Sequence, residues 1–105
     1  MIFVSMVIEA QPQGRDPLTA AMQAMMTTTR HETGCIAYTY SADLSDPNLF
    51  HLVEIWESEQ VMDAHIDADH SYAFIAALNQ HGRITSVKAF DGEAHKFRIR
   101  APNPR

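Results

Sequence analysis

Residues 49 to 58 constrain the architecture of this chain more than any other stretch. Leu49 to Trp56 reads as a strand with Phe50, Leu52, Glu54 and Trp56 on one face and His51, Val53 and Ile55 on the other. Ser58 follows as a helix N-cap, and Glu59 adds the first-turn acidic charge that suits the helix dipole. A link of one or two residues obliges that helix to fold back over the face carrying Glu54 and Trp56. The pattern therefore predicts a sheet with helices packed on one side of it.

The rest of the chain supplies matching pieces. Residues 2 to 9 predict a first strand, with Ile2, Val4, Met6 and Ile8 on one face and Phe3, Ser5 and Val7 on the other. Both faces are mostly apolar, as expected of a sheet covered on both sides. After a loop from Gln11 to Arg15, Asp16-Pro17 reads as a helix start. The apolar spacing of Leu18, Met22, Met25 and Met26 carries that helix to about His31. Gly34 closes the connection, and Ile36 to Ala42 predicts a second strand with Tyr38 and Tyr40 on one face. Asp46-Pro47-Asn48 is a turn, which makes the second and third strands a hairpin. The helix after Ser58 runs to about Ile66. Asp67-Ala68-Asp69 breaks and re-caps it, and a second piece covers about 70 to 81. Gly82 is read as its C′ glycine. Ile84 to Phe90 predicts a fourth strand, residues 95 to 100 a strand extension or arm, and 101 to 105 a frayed tail.

The order is β-α-β-β-α-β with a broken second helix. It predicts an α+β, ferredoxin-like fold with an antiparallel sheet. Residues 1 to 105 read as one domain, with a core over about 2 to 95 and an extension and tail over 96 to 105. Helices cover only one face of such a sheet. The other face carries Val53 and Ile55, so a homodimer is expected. The net charge of −5 comes with no basic patch and argues against nucleic acid. The single cysteine makes an intracellular, cytoplasmic protein the default. The N-terminus shows no signal-peptide pattern, and no apolar run is long enough to span a bilayer.

Among residues able to do chemistry, His65 and His70 come first, because histidine transfers protons near neutral pH. They lie five apart, about 140° around an unbroken helix. Only the break at 67–69 would bring them together, and no cysteine or carboxylate completes a convincing metal-ligand set. Capping or surface roles are the plainer alternative for both, and the same holds for His31, His81 and His95. Glu54 sits on an apolar face. It is either paired or has a raised pKa, and the second case would make it a usable base. Trp56 fits a core position and equally a flat wall for a ring-shaped ligand. Cys35 reads as a small packed residue. The sequence holds no phosphate loop or dinucleotide fingerprint.

Glu54-x-Trp56-x-Ser58 followed by His65-x4-His70 resembles the signature of the antibiotic biosynthesis monooxygenase family. Glu32-x-Gly34-Cys35 with Tyr38 is similar to that family's entry into the second strand. The resemblance spans roughly residues 2 to 95. It implies a dimeric α/β barrel formed by sheet-to-sheet packing. It also implies a monooxygenase without a bound cofactor or metal, taking O2 and a small aromatic substrate such as a quinol or polyphenol. In that reading His65 or Glu54 removes the phenolic proton, His70 assists, and Trp56, Tyr72, Phe74 and Tyr38 line the pocket between sheet and helices. Haem-degrading relatives use an Asn on the first strand and a late axial His. This chain has neither, with Phe74 and Ile75 near the late position. A relative that isomerises a phosphorylated signalling sugar also carries paired histidines, but its pocket would need cations that the central helices here lack. A non-catalytic dimeric ligand-binding or stress-response domain is the alternative from another class. An enzyme should present a pocket with His65 or Glu54 reaching into it, whereas a binding module should have both solvated or filled in.

Overall fold

A computed structural model describes residues 1–96 of the chain. Its elements are β1 (Ile2–Ala10), α1 (Arg15–Thr29), β2 (Cys35–Ala42), β3 (Leu49–Trp56), α2 (Glu59–Ile66), α3 (Asp69–His81) and β4 (Gly82–Asp91). The four strands form one antiparallel sheet in the order β2-β3-β1-β4. This is the ferredoxin-like arrangement expected from the element order. The predicted arm over 95 to 100 and the tail over 101 to 105 fall largely outside the described residues.

The period-2 pattern decides the two sheet faces. Val4, Ile8, Phe50, Leu52, Trp56, Tyr38 and Tyr40 are buried under the helices, and Glu54 is buried with them. From above, α1 contributes Leu18, Met22 and Met25, and α3 contributes Phe74 and Leu78. These positions recur every three or four residues, as a single buried helix stripe requires. On the opposite sheet face Phe3 pairs with Ile55 and Phe90, and Ser5 pairs with Val53 and Lys88. Val53 and Phe90 remain 50% and 61% exposed there. Among the described residues no helix is long and apolar enough to cross a membrane.

Three local expectations need correction. Helix α1 starts at Arg15 with Gly14 as N-cap, so Asp16 does not cap it and lies inside the first turn. Its charge still suits the dipole, and Pro17 falls where an N–H would have no helical partner anyway. Gly82 is not a left-handed C′ residue. Its backbone is extended, and it opens β4. A β-carbon there would lie 2.5 Å from the Glu9 carbonyl oxygen, so close approach between strands is what requires glycine. The break between α2 and α3 is as expected, but no side chain caps α3 at Ala68. Instead the Ser71 hydroxyl donates back across the break to the His65 carbonyl at 2.5 Å.

Candidate functional site

The break between α2 and α3 sets the geometry of the site. It lets His65, at the end of α2, and His70, at the start of α3, converge on one atom. His65 Nδ1 lies 2.6 Å from Glu32 Oε2, and His70 Nε2 lies 3.1 Å from the same oxygen. Glu32 stands in the connection between α1 and β2. It comes this close because Gly34, two residues on, adopts φ +80° and packs its bare α-carbon against Val61 of α2, where a β-carbon would lie 2.6 Å from Val61 Cγ2. A side chain at that position would be strained and would push the connection away from α2.

His65 is buried, with its ring tilted 33° over Trp56 at 4.7 Å between centroids and Tyr38 beside it at 5.4 Å. With Glu32 ionised, Nδ1 carries a proton and donates it, and only in the neutral form of the ring is Nε2 left with its lone pair. Nε2 lies 4.0 Å from Glu54 Oε1. Glu54 Oε1 in turn accepts the indole N–H of Trp56 at 2.9 Å. Burial pushes the Glu54 carboxyl above its ordinary pKa, against the opposing pull of the Trp56 N–H and of His65. Burial likewise raises the phenols of Tyr38 and Tyr40, so both stay protonated. Their hydroxyl oxygens are 3.1 Å apart. One phenol donates to the other, and the second O–H remains for a ligand.

His65, Glu54, Tyr38 and Tyr40 all line a cavity of about 300 Å³. Apart from Ser71 its other walls are apolar, among them Val4, Met6 and Leu52 from the sheet, Phe74 and Leu78 from α3, and Val87 and Ala89 from β4. A pocket that is apolar apart from a few converging polar groups is the ordinary form of a small-molecule site.

The sequence-predicted site residues separate into two groups. His65, Glu54, Tyr38 and Phe74 meet in the cavity. Trp56 is fully buried, with its face taken by His65, so it supports His65 and Glu54 and offers no wall to a ligand. His70 borders a smaller cavity of about 190 Å³ against α1; it shares Glu32 with His65 and its ring lies 5.8 Å from the His65 ring. Tyr72 is 62% exposed and outside the cavity, a correction to the predicted lining. Ser71, Phe74 and Leu78 define the inner stripe of α3, and Tyr72 is turned about 100° from Ser71. Reading the sequence missed Glu32, Ser71 and Tyr40. It also found no carboxylate to join the two histidines. Glu32 does so from a sequence distance of 33 residues.

Comparison with known proteins bears on the same site. The sequence profile described as "Antibiotic biosynthesis monooxygenase" matches residues 1–77. The uncharacterized protein sll1783 of Synechocystis sp. is 27% identical over 70% of this chain, and the chain spans half the length of that relative. YcnE of Bacillus subtilis, which carries the name of a candidate monooxygenase, is 26% identical over 72% of this chain and 80% of its own length. A Deinococcus radiodurans structure described as a candidate antibiotic biosynthesis monooxygenase superposes with a TM-score of 0.84 at 26% identity. That match covers 93% of this chain and 99% of the other.

Proposed function

This chain belongs to the antibiotic biosynthesis monooxygenase family, and from that premise we propose that it oxidises a quinol or related hydroxyarene with O2. The observation that carries the reading is the position of His65. His65 lines an apolar cavity and its Nδ1 is engaged by Glu32, so in the neutral ring Nε2 is the nitrogen left to act as a base. A phenolic O–H entering the cavity meets a base with a fixed tautomer. Removing that proton gives an electron-rich phenolate. The O–H left over from the Tyr38–Tyr40 pair stabilises its charge. The phenolate is the electron donor to O2: one oxygen atom enters the ring, and the product is the hydroxylated quinone plus water. The apolar walls favour this step by keeping bulk water from the phenolate. Glu54, with its raised pKa, is the second candidate base.

We place the reaction in a cytoplasmic homodimer. The sheet face opposite the helices carries Val53 and Phe90, both half exposed or more, and a second copy of the same face would bury them. Light scattering should then give twice the chain mass. Val53→Asp should give a monomer, because the interface would bury an unpaired charge.

The direct test is oxygen uptake with a panel of quinols and hydroxylated naphthalenes. Substrate-dependent uptake that falls in His65→Ala supports the reading. Absence of uptake across the panel, with tight binding of the same compounds, would replace it with a ligand-binding role.

A further inference from the structure

We propose that Glu32, His65 and His70 form a site for a divalent transition cation of the zinc class, and that filling it reverses the hydrogen-bonding role of the cavity-facing His65 nitrogen. His65 Nδ1, His70 Nε2 and a Glu32 carboxylate oxygen all lie within 4.8 Å of one another. They come from three different segments: the α1–β2 connection, the end of α2 and the first turn of α3. Two imidazoles and a carboxylate are a ligand set that zinc accepts with a fourth position left open. Calcium and magnesium prefer oxygen ligands, so the two nitrogens select against them.

Two of the three ligand separations lie near zinc spacing, and the third, His65 Nδ1 to His70 Nε2, within 4.8 Å, has to close as the ion enters. Zinc bonds of about 2.0–2.2 Å place tetrahedral ligands roughly 3.3 Å apart. His70 Nε2 is already 3.1 Å from Glu32 Oε2. His65 Nδ1, at 2.6 Å, has to withdraw by about 0.7 Å. A candidate outer partner stands close by, just beyond hydrogen-bond distance. A metal-bound histidine generally donates its other ring N–H to a carboxylate. Glu54 Oε1 stands 4.0 Å from His65 Nε2, on the side away from Glu32. The Ser71 hydroxyl holds the His65 carbonyl across the helix break.

The change at Nε2 follows from imidazole chemistry. A metal on Nδ1 takes the lone pair of that nitrogen, so the single proton of the neutral ring moves to Nε2. The His70 proton likewise moves from Nε2 to Nδ1. No proton is gained or lost overall. The cavity face of His65 turns from acceptor to donor, now directed at Glu54. If His65 is the base, a metal-loaded chain cannot take the phenolic proton. That consequence rests on the proposed function, whereas the site and the tautomer change do not.

Calorimetric titration of the full chain with zinc, and absorption titration with cobalt(II), should show saturable uptake of one ion per chain. Glu32→Gln and His70→Ala should each weaken uptake by about 10-fold or more, and His51→Ala should leave it unchanged. No saturable uptake, or wild-type affinity in both ligand variants, would overturn the site. Nitrogen-15 spectra of the His65 ring should show an unprotonated Nε2 after chelator treatment and a protonated Nε2 with zinc. A ring already protonated at Nε2 without metal, or still unprotonated with it, would overturn the switch. If the spectra change as expected but zinc leaves oxygen uptake intact, the base assignment fails and the site stands.

Discussion

Two histidine–carboxylate pairs in this chain have nearly the same bond and different surroundings. His51 Nε2 lies 2.8 Å from Asp43 Oδ2, with side chains 42% and 21% exposed. His65 Nδ1 lies 2.6 Å from Glu32 Oε2, with side chains 7% and 19% exposed. Asp43 also accepts from the Ser45 and Asp46 backbone N–H groups and from the Ser45 hydroxyl. It is a clamp on the β2–β3 turn. Glu32 is about as exposed as Asp43, and the difference between the pairs lies in the histidine, buried beside Glu32 and half exposed beside Asp43. The Glu32 bond engages Nδ1 of His65, Trp56 packs against the ring, and His65 lines the cavity. Burial of the histidine and its place at the cavity distinguish this pair from the one at the turn.

The comparison is most exposed to failure in the histidines. His65→Ala should lower turnover by ~10²-fold or more, the usual contribution of a positioned general base. His51→Ala should leave turnover unchanged. Steady-state oxygen uptake, measured well below the thermal midpoint of both variants, separates them. Equal losses in the two would mean that burial has not set the pairs apart. Full activity in His65→Ala would pass the base role to Glu54.

The carboxylates sharpen it. Glu32→Gln keeps a carbonyl able to accept from Nδ1, yet removes the charge that stabilises a protonated His65. We expect kcat to fall roughly 10-fold with KM little changed. Asp43→Asn, the same change in the exposed pair, should leave both constants alone. A rise in KM with constant kcat in Glu32→Gln would show that Glu32 shapes the cavity and does not tune the base.

The fold was legible in the sequence because it rests on local patterns. Alternation in residues 2–9 and 49–56 separated the two sheet faces correctly. The short link through Ser58 put the following helix over Glu54 and Trp56, and Ser58 does accept from the Val61 N–H. The two histidines were visible for the same reason. Their partner was not. Glu32 meets them only after α1, β2 and α2 have packed, and no periodicity reports such a contact. Gly34 was the available signal, since a glycine two residues from a carboxylate marks where a connection comes close to a neighbouring element. Tyr72 lies outside the cavity because its position on α3 turns it about 100° from Ser71 and leaves it exposed.

Burial also predicts how the site responds to pH. Burial raises the Glu54 carboxyl, so the folded chain holds that proton more tightly than the unfolded chain. The stabilising contribution of the protonated group is complete below the unfolded glutamate value of about 4.3. It is lost as pH rises through the raised folded value. Glu54→Gln keeps an acceptor for the Trp56 N–H and cannot ionise. Its thermal midpoint relative to wild type should therefore climb from pH 4 towards neutrality. A constant difference across that range would mean that Glu54 pays no desolvation cost when charged.

The smallest expected effect has the opposite sign and belongs to the exposed pair. The bond from His51, followed by those from Ser45, holds the Asp43 carboxyl well below the usual carboxylate range. A lowered pKa stabilises the fold above the unfolded aspartate value, about 3.9, and that contribution disappears as pH falls through the folded value. Asp43→Asn should therefore melt slightly below wild type at neutral pH, with the two midpoints converging as pH drops below about 4. Solvent exposure keeps the gap small, and added salt should shrink it further. The Glu54→Gln gap should be far less salt-sensitive, because its origin is burial and not an exposed ion pair. Thermal melts of both variants at low and high salt compare the two regions directly. If salt moved the Glu54 gap as much as the Asp43 gap, the two carboxylates would share one electrostatic environment, and the distinction between the buried and exposed sites would fail.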